Sequence, residues 1–424
     1  MKIMDKNSIL EILVVNHSTP EISGYATLLL KNVIPILRKT IQVHVTWIIH
    51  NKEKIENKQL DSNSSIMNMV EFDNAVQALE KIKPDIVFII PGISVPDYAF
   101  NLAAKYLNIP TMGGDLGMGT FGDITVKKSL NSFNPFKNKK DLKGFLSIGK
   151  FFIIKHIFLL KTEVSVGMNY LQVIKDFINF TRKYFPVFRP TQIFMPEFAC
   201  DINFVQNHVM FEKLIEIGWD RKKLAITGNP SYEEIENKLP ISRHKHNEKI
   251  NVLILTMNFI GADRKSTLYK IESLIDEINN MQKISVSIKI HPSQEDPLEY
   301  KQILQKFKDI KLYQKEDLYD ILKNTDVAIS FTSATASYSA VLAHIPVIIW
   351  NIHNVENDIL LKYGLAKELK EIKDAINMIE HSLLRYLPNE DLDKFKKEIL
   401  NITDKRPSEK IANIIIQFLN LNKQ

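Results

Sequence analysis

Short apolar runs alternate with stretches of helical period along nearly the whole chain. A run of β-branched residues bounded by turn formers predicts a strand, and apolar positions three and four apart predict a helix. On this basis Ile9–Val15 is a strand, Asn16–Ser23 a loop, and Tyr25–Arg38 a helix with a kink at Pro35. Ile41–Ile49 is the next strand, and residues 51–69 are a polar, Asn- and Lys-rich excursion. Phe72–Lys83 has helical period, Asp85–Ile90 is a buried strand ending at Pro91-Gly92, and Asp97–Leu107 is a helix. Thr111–Asp123 reads as a glycine-rich loop. The second half repeats the alternation: strand Asn251–Thr256, helix Lys265–Met281, strand Val286–Ile290, helices Leu298–Lys306 and Asp317–Lys323, strand Val327–Ser330. Helix Tyr338–His344 and strand Ile345–Trp350 follow, and an amphipathic helix closes the chain at Ser408–Leu419.

This alternation predicts parallel α/β sheets. Thr227-Gly228-Asn229-Pro230 interrupts regular structure and marks the junction. The expected fold class is α/β: two Rossmann-like parallel-sheet domains facing a cleft, with a C-terminal amphipathic helix. Residues 1–230 form the first domain, and 231–424 the second, which carries the final helix.

Two strand ends carry the chemistry. Val286–Ile290 runs into His291-Pro292. Val327–Ser330 runs into a cluster of small hydroxyl residues, Ser330, Thr332, Ser333, Thr335 and Ser337, that opens a helix. Ligands bind at the carboxyl ends of strands in open α/β sheets. A hydroxyl-rich turn at a helix start offers backbone N–H groups and a favourable dipole to a phosphate. The five hydroxyls cannot all reach one phosphate, because successive residues of an extended chain face opposite ways. Ser333, Ala334 and Thr335 form the expected anion turn; N-capping by Ser333 or Thr335 uses the same geometry. Asn258, after the strand Asn251–Thr256, and Gly228, at the junction, complete the donor-binding set, and Arg264 is placed to reach a diphosphate or solvent. Asp115 lies in the glycine-rich loop and is the preferred general base, with Asp97 and Asp123 as rivals. His17, in the loop after the first strand beside Ser18 and Gly24, is a further catalytic candidate.

Composition adds limits. With 45% hydrophobic and 25% charged residues, the chain of 424 is globular and long enough for two cores. A net charge of +6 suits an anionic ligand or a membrane surface and is too small to argue for nucleic acid. The single cysteine, Cys200, excludes an internal disulfide and reads as a small buried hydrophobe. Glu11 breaks the N-terminal apolar stretch, which therefore reads as a core strand and not a signal peptide. No charge-free apolar stretch is long enough to cross a bilayer, so the expected location is the cytoplasm, with one qualification. Residues 136–161 carry seven lysines among aromatic and aliphatic residues. Either 145–160 is an interfacial helix, a peripheral contact at the inner face of the cell membrane, or the segment forms core helices with a solvated lysine edge. No spacing of acids, histidines or cysteine suggests a metal site, and no Walker loop or nucleic-acid module is present.

The motifs, taken in order, resemble the superfamily of GT-B glycosyltransferases and non-hydrolysing UDP-N-acetylglucosamine 2-epimerases. Lys83-Pro84-Asp85-Ile86-Val87 followed by Asn101–Pro110 is similar to the epimerase first domain, Phe204–Pro230 to the segment leading to the interdomain crossing, and Ile290-His291-Pro292 with Ser330–Trp350 to the donor half. The acids of epimerase chemistry are replaced: Pro91-Gly92 follows the strand of Asp85, and Tyr338 and Ser339 stand where paired glutamates are expected. Asp115 falls on the epimerase loop glutamate, and Gly119 on its arginine. The His-Pro pair and Ser/Thr turn are closer to bacterial sialyl-, capsule-polymer and CDP-glycerol glycerophosphotransferases. That resemblance implies a metal-independent transferase using a nucleotide-sugar or CDP/CMP-linked donor as substrate, without a cofactor, and a glycan or lipid-linked acceptor in cell-surface polysaccharide synthesis. The alternatives are a 2-epimerase-like enzyme and a catalytically dead nucleotide-sugar-binding protein of the same fold.

Overall fold

The computed structural model describes residues 9–16, 29–50, 62–89, 94–114, 153–182, 196, 199–233, 249–257, 264–279, 281–291, 295–353, 358–383, 389–403 and 405–421. His17, Asp115, Asp123, Asn258 and Pro292 lie outside the described residues, as do Pro91-Gly92 and 145–152. The described residues up to Ser231, together with those from Glu398 onward, form one unit; Tyr232–Lys397 form the other.

The first unit is built on seven parallel strands: β1 Ile9–Asn16, β2 Gln42–Ile49, β3 Ser64–Asn68, β4 Ile86–Ile89, β5 Thr111–Gly114, β6 Ile202–Val205 and β7 Leu224–Ile226. Their order is β3-β2-β1-β4-β5-β6-β7. Both faces are covered, which is why the central strands read as continuous apolar runs. Alternation then sorts side chains: Leu13, Val15, Val87 and Ile89 meet helices α2 (Ala75–Ile82) and α3 (Val95–Tyr106) on one face. Ile12, Val14, Ile86 and Phe88 pack on the other face with α1 (Ile34–Arg38) and the C-terminal helix Pro407–Leu421.

Three features depart from the sequence reading. Thr111–Gly114 is a strand rather than the start of a loop. Gly114 is required by the neighbour: at φ +151, a Cβ there would lie 2.1 Å from the Phe204 carbonyl oxygen on β6. Ser64–Asn68, inside the polar excursion, is the edge strand β3, where one side is unpaired and apolar content is not demanded. The closing helix leaves the second domain's assignment and joins the first unit, burying Ile411, Ala412, Ile415 and Leu419 beside Ile34 and Leu37. Helical period identifies an apolar stripe but not the sheet that it covers. Gly228, at φ +87, permits this return, since a Cβ there would meet Pro407 at 2.8 Å.

Beyond α3, residues 153–165 form helix α4 and Tyr170–Arg182 form α5. These three helices enclose a polar cluster. Ser94 caps α3 and bonds Asp97, which is buried and faces the buried Lys155 of α4. Tyr98 donates to Asp176 at 2.7 Å, and Gln172 donates to the other oxygen of Asp176 at 2.8 Å. Glu163 is buried against Asp176. Burial, then the neighbouring carboxylate and a hydrogen bond to it, push the Glu163 carboxyl up to about 8. Among the described residues, no helix is long and apolar enough to cross a membrane.

The second unit has six parallel strands: β8 Ile250–Leu255, β9 Ile284–Lys289, β10 Lys311–Tyr313, β11 Val327–Ser330, β12 Val347–Ile349 and β13 Ala366–Glu368. The order β10-β9-β8-β11-β12-β13 reverses between β8 and β11. Helix α7 (Arg264–Asn279) covers one face with Ile271, Leu274, Ile275 and Ile278, beside Ala375 and Ile379.

A folded state that holds the Glu163 proton binds more protons than the unfolded chain between the ordinary glutamate value and about 8. Stability from this pair is therefore complete in acid and lost as pH rises through about 8. Thermal melts from pH 5 to 9 at fixed ionic strength should show that decline, and Glu163→Gln should flatten it; an unchanged slope would remove the pair as its source.

Candidate functional site

The carboxyl edge of the second sheet contains the point where strand order reverses, the usual crevice for a ligand in such sheets. Here β8 delivers Thr256, β9 delivers His291, and β11 delivers the hydroxyl turn. Because β8 lies between β9 and β11, their ends stand about 10 Å apart.

A buried carboxylate organises the His-Pro corner. Glu295 accepts from the Thr256 hydroxyl at 2.7 Å and the His291 backbone N–H at 2.7 Å on one oxygen. Its other oxygen accepts from the Tyr300 hydroxyl and from Arg264 at 3.2 Å. Arg264 also donates to Glu299 at 2.8 Å and stacks over Tyr300, 5.1 Å from the ring centre. Its guanidinium is thus engaged with two carboxylates. Tyr300 comes from α8 (Pro297–Leu304) and Arg264 from the first residue of α7, so four elements meet on one side chain. Burial holds His291 below the ordinary histidine value; Lys289 acts in the same direction and Glu295 opposes both. At neutral pH its imidazole is uncharged and able to donate one hydrogen bond.

A second buried carboxylate organises the hydroxyl turn. Asp358 precedes the short helix α11 (Ile359–Lys362) and caps its N–H groups at Leu360 and Leu361. It also accepts from the Thr332 hydroxyl at 2.9 Å, the Ser333 N–H at 2.6 Å and the Ser333 hydroxyl. Leu360 N–H donates back to Ser333 Oγ at 2.8 Å. So the hydroxyls of Thr332 and Ser333 already hold an anion, supplied by the chain. Ser330 donates to the Thr332 carbonyl at 2.8 Å, and Ser337 accepts the Ala334 N–H at 2.8 Å. The N-cap of α10 (Thr335–Leu342) is Ala334, not Ser333 or Thr335. Of the five hydroxyl residues only Thr335 is exposed, in the first turn of α10, where backbone N–H groups lack intrahelical acceptors.

No known family profile matches the chain, and a search of curated proteins returns no match. Solved structures do match. MnaA from S. aureus, in a structure with UDP, has a TM-score of 0.54 at 14% identity, over 98% of each chain. The UDP-GlcNAc 2-epimerase from Methanocaldococcus jannaschii has 0.54 at 15%, over 97% of this chain and 100% of that one. CalG4, the calicheamicin glycosyltransferase, has 0.54 at 13%, over 97% and 98%. The fold is GT-B. Glycosyltransferases and epimerases match it equally well.

On this GT-B frame, Tyr338 and Ser339 stand on α10 with their side chains buried, and Ser339 Oγ donates to the Thr335 carbonyl at 2.9 Å. Gly228 lies in the first unit, packed against Pro407 and the Leu400 carbonyl. Among the described residues, no group of three or more His, Cys, Asp or Glu could hold a metal. Burial raises the Cys200 thiol far above its usual value, so the residue is unreactive. Sequence reading missed Glu295 and Asp358. The signal for Asp358 is local, an aspartate one residue before a helix. Glu295 gave none, because its donors come from positions 256, 264, 291 and 300.

Glu295→Ala leaves the Thr256, His291 and Tyr300 donors unpaired and Arg264 with Glu299 alone, and should cost at least about 1–3 kcal/mol in urea unfolding. Ser333→Ala, which strips a donor from buried Asp358, should cost about 1–3 kcal/mol. Wild-type unfolding midpoints for both would contradict the two carboxylate hubs.

Proposed function

We propose that the protein is a nucleotide-donor-dependent transferase that moves a glycosyl or polyol-phosphate unit to a glycan or lipid-linked acceptor, in cell-surface polysaccharide synthesis. The observation that carries this reading is the convergence at one sheet edge of a neutral histidine and a hydroxyl turn opening a helix. In this reading Thr335 and the first-turn amides of α10 take a donor phosphate, while Thr332, Ser333, Ser330 and Ser337 shape the turn. His291 donates a hydrogen bond to the departing nucleotide's phosphate. Asp115 deprotonates the acceptor hydroxyl, and His17, Asn258 and Gly228 remain candidates for contacts with substrate. A lipid-linked acceptor would bring the protein to the inner face of the cell membrane.

The matching epimerase structures keep a second reading in view. An epimerase must remove a proton from a sugar carbon and so needs acids that handle it. Tyr338 and Ser339, buried and without a carboxyl group, do not supply them, which favours transfer.

Thermal-shift measurements with CMP, CDP, UDP and GDP should single out one base, adding about 2.7 kcal/mol at 100 times the dissociation constant. Loss of one hydrogen bond to a charged phosphate, in His291→Ala or Thr335→Ala, should weaken binding by about 1.5–3 kcal/mol. No stabilisation by any of the four, or unchanged affinity in both variants, would remove the site. In D₂O, UDP-N-acetylglucosamine should gain no deuterium at C2; exchange there would establish the epimerase instead.

A further inference from the structure

Helix α4 buries Phe158 and Leu159, and α5 buries Val173, yet each carries a second apolar stripe on the outside. Ile153, Ile157, Leu160 and Val164 recur at helical spacing on α4 and are exposed, Val164 to 63%. Leu171, Ile174, Phe177 and Ile178 do the same on α5, Leu171 to 81%. The polar residues face inward: Lys155, His156, Glu163 and Asp176 are all buried. Contiguous exposed apolar area on this scale is uncommon on a soluble protein and marks a surface that something covers. The charge pattern says what. Glu163 and Asp176 are the acids of these two helices, and both are turned in; among the described side chains the exposed charges are Lys175 and Lys161, the latter paired with Asp73 of the preceding segment at 3.0 Å. Immediately before α4, residues 137–150 add five lysines against one aspartate in the sequence.

A two-fold pairing of this face with a second copy would bring its lysines together without an exposed acid on either helix to meet them. A sheet of anionic headgroups supplies both the counter-charge and an apolar phase. At 13 residues α5 is about 20 Å long, too short to span a bilayer of roughly 30 Å, so it would lie in the interface plane.

We propose that the outward face of α4 and α5 docks the protein on an anionic lipid bilayer. The proposal rests on the transferase reading for its purpose, which is to reach a lipid-linked acceptor; its test does not. It also moves the contact anticipated at 145–160 onto residues 153–178 of a two-helix face.

The full chain should co-sediment with vesicles of phosphatidylcholine and phosphatidylglycerol about tenfold better than with phosphatidylcholine alone, and the excess should disappear in high salt. The triple substitution Leu171→Gln, Ile174→Gln, Phe177→Gln should lower binding by about tenfold or more and leave the melting temperature near wild type, since these side chains are exposed. Lys161→Glu with Lys175→Glu should lose the anionic preference in the same way. Equal binding by wild type and triple variant, or sedimentation with neither vesicle at low salt, would overturn the proposal. So would light scattering showing a dimer that the triple variant dissociates, which gives the face to a second copy. Nucleotide binding, followed in the same samples, separates the two readings: its loss with vesicle binding intact would count against the transferase alone.

Discussion

The carboxyl edge of the second sheet depends on one buried carboxylate. Glu295 draws together the ends of β8 and β9, the start of α7 and the body of α8, through donors from Thr256, His291, Arg264 and Tyr300. Burying a charge is costly unless it is paired and hydrogen-bonded. With four donors the cost is met, and the same bonds fix where His291 stands. Removing the carboxylate would release the backbone at His291 and leave Arg264 with Glu299 as its remaining carboxylate partner.

Asp358 plays a parallel part for the hydroxyl turn, with a consequence for chemistry. It takes the Thr332 and Ser333 hydroxyls and the Ser333 amide, so these groups hold a fixed internal anion. What the turn presents outward is Thr335 and the start of α10. An internal carboxylate behind the turn also sets a limit: a phosphate must be held by dipoles and hydroxyl groups strongly enough to offset that nearby negative charge.

Much of the architecture was legible because doubly covered parallel strands demand apolar runs. Val327–Ser330 was read at its observed bounds, and β8, β9 and the helices around them within a few residues. The misses have physical reasons. Edge strand Ser64–Asn68 needs little apolar content, and β5 ends in Gly114, which lacks a side chain so that β6 can approach. The final helix was read correctly as amphipathic yet assigned to the wrong unit, because its partner surface lies almost 400 residues away in sequence, around Ile34. At the site, strand-end placement of His291 and the hydroxyl cluster could be read from local pattern. The bonds by which Glu295 and Asp358 hold them could not, since hydrogen bonds across 25 to 39 residues leave no periodic trace. Likewise an apolar stripe was expected at 145–160 and none was read at α5, and the pattern by itself does not tell which side a stripe faces.

The central claim is that a donor phosphate is held at the β11–α10 turn, beside the His291 corner. Hydrogen exchange of the full chain, with and without the nucleotide that stabilises it, tests this directly. The account predicts added protection in peptides covering Lys289–His291 and Ser330–Ser337, with the strands of the first sheet unchanged. Protection confined to the first unit, with those two segments exchanging as in the free protein, would contradict it.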